Sequence, residues 1–332
     1  MKFATFKDGT RDGRLALVSR DLRQAVSAEA IAPNLLWALD HWEAVAPKLE
    51  LLYAQLNDGK AAGAFGFDTK ACAAPLPRAS QWLDGSDFPN HGQWVCAELG
   101  IPALPSAFPM MYQGGSDDLL GACDDMLLPD EAHQIDIEGE LIAVLGAVPM
   151  GTSAGNAGCY IRLLMLANDC SLRGLQVREM QSGFGMVHAK PSTSFSPVAV
   201  TLDEVSPWWR GNRLHRKMLV HRNGEQIGQP DAGLMRLGFG PLIAHAAKTR
   251  RLTAGTLIGS GTVSDPAEGA GSAAIAEMRA LEQHRSGNVT TPYLKFGETV
   301  RMEMLDDAGQ SIFGAIENRI VQALPVEEAL SV

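Results

Sequence analysis

Asp136-Ile137-Glu138-Gly139-Glu140-Leu141-Ile142-Ala143-Val144-Leu145 joins two carboxylates around one glycine to five apolar residues without a polar break. In an extended strand, side chains two apart share a face, so Glu138 and Glu140 point together into one small volume. The run that follows is apolar on both faces, the pattern of a strand covered on both sides, and it places the glutamates at the mouth of a core strand. A second apolar run, Leu163-Leu164-Met165-Leu166, leads through Ala167-Asn168 to Asp169, a third carboxylate in the same kind of position. Carboxylates there are costly unless paired with a cation. Oxygen donors of this kind suit one hard divalent ion, Mg2+ or Ca2+, with Mn2+ a further candidate. A lone Glu-Gly-Glu is more often a solvated strand edge; the signal lies in the set.

Working outward, strands are expected over 141–146, 161–167, 198–201, 218–221, 256–259 and 300–305. Asn223-Gly224 is hairpin chemistry between 218–221 and Gln226-Ile227, and Asp307-Ala308-Gly309 separates 300–305 from 311–320. Helical spacing is clearest over 241–250 and 273–284. Upstream, 2–6 and 15–19 read as a hairpin around Asp8-Gly9 and Asp12-Gly13. Residues 34–56 read as helix, with Pro47 expected to break it in two. The Ala/Pro-rich run 71–77 reads as a linker. The predicted class is therefore α+β, mostly β, with a small α+β N-terminal domain (1–74) and a larger domain (75–332) carrying a few peripheral helices. No Gly-rich strand-to-helix turn of the dinucleotide-binding kind is present.

Composition narrows the function classes. The 332 residues are 46% hydrophobic and 20% charged, a globular profile, and the net charge of −10 argues against a nucleic-acid partner. Arg213, Arg216 and Lys217 form only a short basic turn. No apolar signal-peptide core follows Lys2 and no stretch has membrane-spanning length, so a cytoplasmic protein without a membrane partner is expected. Cys72, Cys96, Cys123, Cys159 and Cys170 are far apart and odd in number, which supports neither disulfides nor a zinc site.

Four separated motifs then carry a resemblance. Glu138-Gly139-Glu140-Leu141, Asn168-Asp169-Cys170-Ser171-Leu172-Arg173-Gly174-Leu175-Gln176, Lys190-Pro191-Ser192-Thr193-Ser194-Phe195-Ser196-Pro197 and Gly259-Ser260-Gly261-Thr262-Val263-Ser264 resemble, in order and spacing, the fumarylacetoacetate hydrolase family. The likeness runs from Pro77 to the C-terminus, and the leading segment resembles the small N-terminal domain of bacterial members. It implies a mixed β-sandwich/β-roll catalytic domain with peripheral helices, a homodimer, and a metal-dependent hydrolase. Such an enzyme cleaves a carbon-carbon bond in a 1,3-dicarbonyl (2,4-dioxo) acid, in tyrosine or other aromatic catabolism.

Residue by residue, the resemblance implies metal ligands Asp84, Glu138, Glu140 and Asp169, with His91 as general base. Asp84 lies seven residues before His91 in Asp84-Gly85-Ser86-Asp87-Phe88-Pro89-Asn90-His91, and Asp87 is a rival for its role. Without the family, His91 is a histidine in a Gly/Pro-rich loop. Glu277 is the candidate to orient its imidazole, ahead of Glu282. Lys190, Arg173 and Gln176 resemble the family's donors to the oxyanion and substrate, and Thr262 and Tyr112 its substrate contacts. The match departs at the specificity pocket: Gly100 falls where the animal enzymes have an arginine, and Ser86 and Met180 where they have tyrosines. Arg162, Arg178 and Lys295 are substitute cations, and the substrate stays open among fumarylacetoacetate, shorter acylpyruvates and aromatic ring-cleavage products. A 2-oxo acid hydratase or decarboxylase is the alternative enzyme, and a silent metabolite-binding scaffold the alternative outside catalysis.

Overall fold

The computed structural model describes residues 1–103 and 108–323. Its backbone is an eleven-stranded sheet ordered Phe65–Gly66, Gln24–Ser27, Arg14–Val18, Lys2–Phe6, Ala199–Val200, Ile161–Asn168, Gly139–Leu145, Thr256–Thr262, Gln81–Gly85 and Met111–Gly114, with Ser194–Phe195 pairing beside Ile161–Asn168. Every pairing is antiparallel except that of Thr256–Thr262 with Gln81–Gly85. A second sheet of five strands runs Glu225–Gly228, Met218–Arg222, Thr299–Met304, Ile316–Gln322 and Met126–Leu128. Asn223 and Gly224, both at positive φ, form the hairpin turn expected there.

Gly139–Leu145 is buried at every residue because the sheet is covered on both faces. Leu141, Ala143 and Leu145 belong to one core, while Ile142 and Val144 belong to a second together with Phe3, Leu17, Leu49 and Trp82. That second core lies under the N-terminal helices α1 (Leu35–Asp40) and α2 (Trp42–Asn57). Among the described residues five further α-helices follow: α3 (Pro89–Leu99), α4 (Ala154–Ala157), α5 (Arg173–Ser182), α6 (Phe239–Ala246) and α7 (Ile275–Ser286).

Three expectations change. The break in the N-terminal helical stretch falls at His41 rather than at Pro47, which sits inside α2. Pro47 is on the exposed side, where water can satisfy the carbonyl that its missing N–H leaves free. The run 71–77 is no loose connector: Cys72, Ala74 and Leu76 are buried, and Ala73 N–H donates to the Thr5 carbonyl. The stretch around His91 is a helix, not a loop. Pro89 opens α3 at a position where its missing N–H has no intrahelical partner, and Gly100 closes it at φ +65°.

Candidate active site

Three strands end together. Asp84 is the last residue but one of the parallel partner of Thr256–Thr262, Glu140 is the second residue of the central strand, and Asp169 follows Ile161–Asn168. Carboxylate oxygens of Asp84, Glu140 and Asp169 lie within 4.8 Å of one another, and all three residues are buried. Gly259 makes the approach feasible: a Cβ there would strike Asp84 Oδ1 and come within 2.8 Å of Glu140 Oε2. Asp84 Oδ1 and both Glu140 oxygens have no hydrogen-bond partner. Burial and the neighbouring Asp169 push Asp84 up to about 8, and burial with Asp84 beside it raises Glu140 well above the ordinary carboxylate range. Unpartnered buried oxygens around a gap that tolerates no side chain fit a hard divalent cation, with Asp84, Glu140 and Asp169 as its ligands.

Asp169 is braced separately. Thr193 Oγ1 donates to its Oδ1 at 2.6 Å, and Lys190 Nζ and Tyr112 Oη each donate to Oδ2 at 2.6 Å. Glu138 stands outside the trio. It accepts from Lys190 Nζ at 2.5 Å and from Arg173 Nη2 at 2.6 Å. Burial works against its ionisation, but Lys190 and Arg173 outweigh it and hold Glu138 well below the usual range. Of the four residues proposed from sequence as ligands, Glu138 is thus the one paired with two protein cations, while Asp169 shares Lys190 with it. Asp87 is engaged elsewhere, accepting from the backbone N–H groups of Leu237 and Gly238 at 2.8 Å.

The acid-base pair is built where α3 packs on α7. His91 Nδ1 meets Glu277 Oε2 at 2.8 Å, and its Nε2 faces Glu138 Oε1 at 3.7 Å. Glu277 is fully buried and its second oxygen accepts from Ser264 Oγ at 2.8 Å and Asn90 Nδ2 at 3.5 Å. Glu282 lies away from the pair, bound to the backbone of Thr290 and Thr291. Burial disfavours the imidazolium, yet the Glu138 carboxylate facing Nε2 and the Glu277 carboxylate that accepts at Nδ1 prevail and carry His91 up to about 9.

Arg173 and Gln176, one turn apart on α5, are linked by Arg173 Nη1 donating to Gln176 Oε1 at 2.9 Å, which leaves the Gln176 amide N–H groups facing the cavity and Met186 Sδ. Arg173 Nε donates to buried Asp136, whose carboxylate also accepts the first two N–H groups of α7, from Ile275 at 2.6 Å and Ala276 at 3.0 Å. One carboxylate therefore fixes both the guanidinium and the helix that carries Glu277. Sequence reasoning missed Asp136, Asn90, Thr193 and Ser264 as supports. Asp136 opens the quoted motif and Ser264 closes another, but only the fold reveals what they hold.

Asp84, His91, Glu138, Glu140, Arg173, Gln176 and Lys190 line a cavity of about 330 Å3, together with Ser86, Thr262, Met180 and Tyr112. Among the substitute cations, Arg162 pairs with Glu43 and Lys295 with Glu131, and neither these nor exposed Arg178 lines the cavity. Gly100 serves as the stop of α3.

The model of the fumarylacetoacetate hydrolase C-terminal domain matches residues 83–321. The chain belongs to the fumarylacetoacetate hydrolase family. The second N-terminal domain type of fumarylacetoacetase matches residues 1–78 of this family member. A curated relative is the oxaloacetate tautomerase YisK of Bacillus subtilis, 27% identical over 59% of this chain and 63% of its own length. The chain therefore spans less than two thirds of that relative. Maleylpyruvate hydrolase from Sphingobium sp. SYK-6, crystallised with manganese(II) and pyruvate, superposes with TM-score 0.66 at 16% identity, covering 98% of this chain and 100% of that one. Fumarylacetoacetate hydrolase from Exiguobacterium antarcticum gives TM-score 0.66 at 16% identity over 97% of this chain and 100% of its own. At such identities the likeness establishes the strand-rich α+β fold. Among the described residues no helix is long and apolar enough to cross a membrane.

Proposed function

We propose that this family member is a divalent-cation-dependent hydrolase that splits a 2,4-dioxo acid between C3 and C4, giving pyruvate and a carboxylic acid. The observation that carries the reading is His91, backed by buried Glu277, lining the cavity beside the carboxylate trio. Glu277 holds the Nδ1 proton, which leaves Nε2 to take a proton from water as the oxygen attacks C4. Gln176 and the Arg173 and Lys190 cations supply donors and positive charge for the tetrahedral oxyanion. When that adduct collapses, the C3–C4 pair stays on C3, and the proton held on His91 returns there to complete the methyl group of pyruvate. A divalent ion on Asp84, Glu140 and Asp169 supplies Lewis-acid stabilisation of the dicarbonyl's developing negative charge.

Metal-stripped protein is expected to leave the ultraviolet absorbance of 2,4-dioxo acids unchanged, and Mg2+ or Mn2+ to restore its loss with one pyruvate formed per acid released. His91→Ala is expected to lose at least ~100-fold in rate while still binding the ion. Turnover that survives chelation defeats the proposal. The Bacillus relative favours a second reading, tautomerisation of a 2-oxo diacid at the same site. It predicts interconversion of keto and enol forms with no pyruvate released from dioxo acids.

A further inference from the structure

The cavity changes character along its length, and two helices set the gradient. On α3, His91, Val95 and Leu99 are four residues apart, so they share one face; Val95 lies about 6 Å and Leu99 about 12 Å beyond the histidine along the axis. On α5, Arg173, Gln176 and Met180 follow the same rule, with Met180 about 10 Å beyond Arg173. Each helix thus presents a polar first turn to the reaction centre and apolar turns farther out. Ile101, Met111 and Met186 also line the cavity.

The charges all sit at the near end. Arg173 and Lys190 line the cavity but are committed to Asp136, Glu138 and Asp169. His91 is committed to Glu277. Among the described residues no lysine or arginine stands on the far wall. A second carboxylate placed there would lose its water against thioether and aliphatic groups with no partner in return. Methionines suit instead an uncharged chain whose shape can vary, since their unbranched thioethers repack around apolar ligands.

Resting on the hydrolase reading above, we infer that the substrate's acyl arm is uncharged and apolar: an alkyl- or aryl-ended 2,4-dioxo monoacid rather than a diacid. The arm lies along Val95, Leu99 and Met180, and the 2-oxo acid head lies at the carboxylate trio. Met180 is then a specificity residue, and Met180→Arg should admit a terminal carboxylate.

Calorimetric titration of the Mn2+-loaded full chain with two six-carbon acids tests this without relying on turnover. 2-Oxohexanoate is expected to bind at least ~tenfold more tightly than 2-oxoadipate, in the range that a buried apolar arm provides. Met180→Arg should narrow or invert that ratio. Equal or tighter binding of the diacid by the wild-type protein, or no binding of either acid, overturns the inference. The two readings fail separately. A preference for the monoacid with no cleavage of any dioxo acid leaves the inference standing and defeats the hydrolase, whereas cleavage that favours carboxylate-ended dioxo acids does the reverse.

Discussion

His91 faces conflicting demands. A general base has to be neutral at working pH, yet Glu138 and Glu277 raise this imidazole to about 9 in the absence of an ion. The conflict dissolves when a dication occupies the neighbouring trio, because its charge opposes that of an imidazolium at close range. We therefore expect the His91 titration midpoint to fall by about one unit or more when Mg2+ is added, followed by NMR of the imidazole Cε1–H. An unchanged midpoint would remove the link between the cation and base strength. The same residue explains why Ser264 and Asn90 matter: they occupy the second oxygen of Glu277, so that its first stays aimed at His91.

At the level of strands and helices, the site depends on one glycine as much as on its acids. Thr256–Thr262 runs between the strands bearing Asp84 and Glu140; Gly259 pairs with Asp84 on one side and with Ile142 on the other, and the Glu140 side chain reaches back so that a Cβ on Gly259 would lie 2.8 Å from its Oε2. Gly259→Ala should cost roughly 10- to 100-fold in Mg2+ or Mn2+ affinity, because the new methyl displaces ligand oxygens. Isothermal titration beside a circular-dichroism melt would separate that loss from unfolding; retained affinity in a folded variant contradicts the account. The apolar strands were legible in sequence, since uniform burial leaves an unbroken run of Leu, Ile and Val. Helices α3 and α5 were not. The buried residues of α5 are Arg173 and Gln176, which hydrophobic periodicity cannot register, and α3 holds Gly92 early and is announced only by Pro89 and Gly100. Glu140 and Asp169 were legible because they stand at the ends of apolar runs, whereas Asp84 entered only through its spacing before His91 in the family resemblance, since its strand Gln81–Gly85 carries no comparable run. The division of labour between Glu138 and Glu140 was not, because strand alternation puts both on one face while only the fold brings Arg173 and Lys190 to the first of them.

For the whole molecule, the trio couples proton, cation and fold. An unfolded carboxyl titrates near ~4, whereas folded, ion-free Asp84 is raised to about 8. Between those values the folded chain retains protons that the unfolded chain has released, so this contribution to stability declines as pH rises. A bound cation replaces those protons. Metal-free protein should therefore lose thermal stability from about pH 5 to about pH 8, and the Tm increment from Mg2+ should be larger at the higher pH. Differential scanning fluorimetry with and without chelator reads both; an increment that is as large at pH 5 refutes the coupling.

The pairing of Lys2 with Val200, and of Asp84 with Gly259, carries a consequence for biosynthesis. Neighbours in the long sheet are recruited from distant parts of the polypeptide, so a chain still emerging from the ribosome can pair the strands that carry Glu140 and lead to Asp169, but it lacks the strand that joins Asp84 to them. Until residue 262 has docked, the strands of Glu140 and Asp84 each have an unpaired edge where Thr256–Thr262 belongs. The cation site is thus a late product of assembly rather than a nucleus for it, and chains truncated before Thr256 carry the ligands without the site.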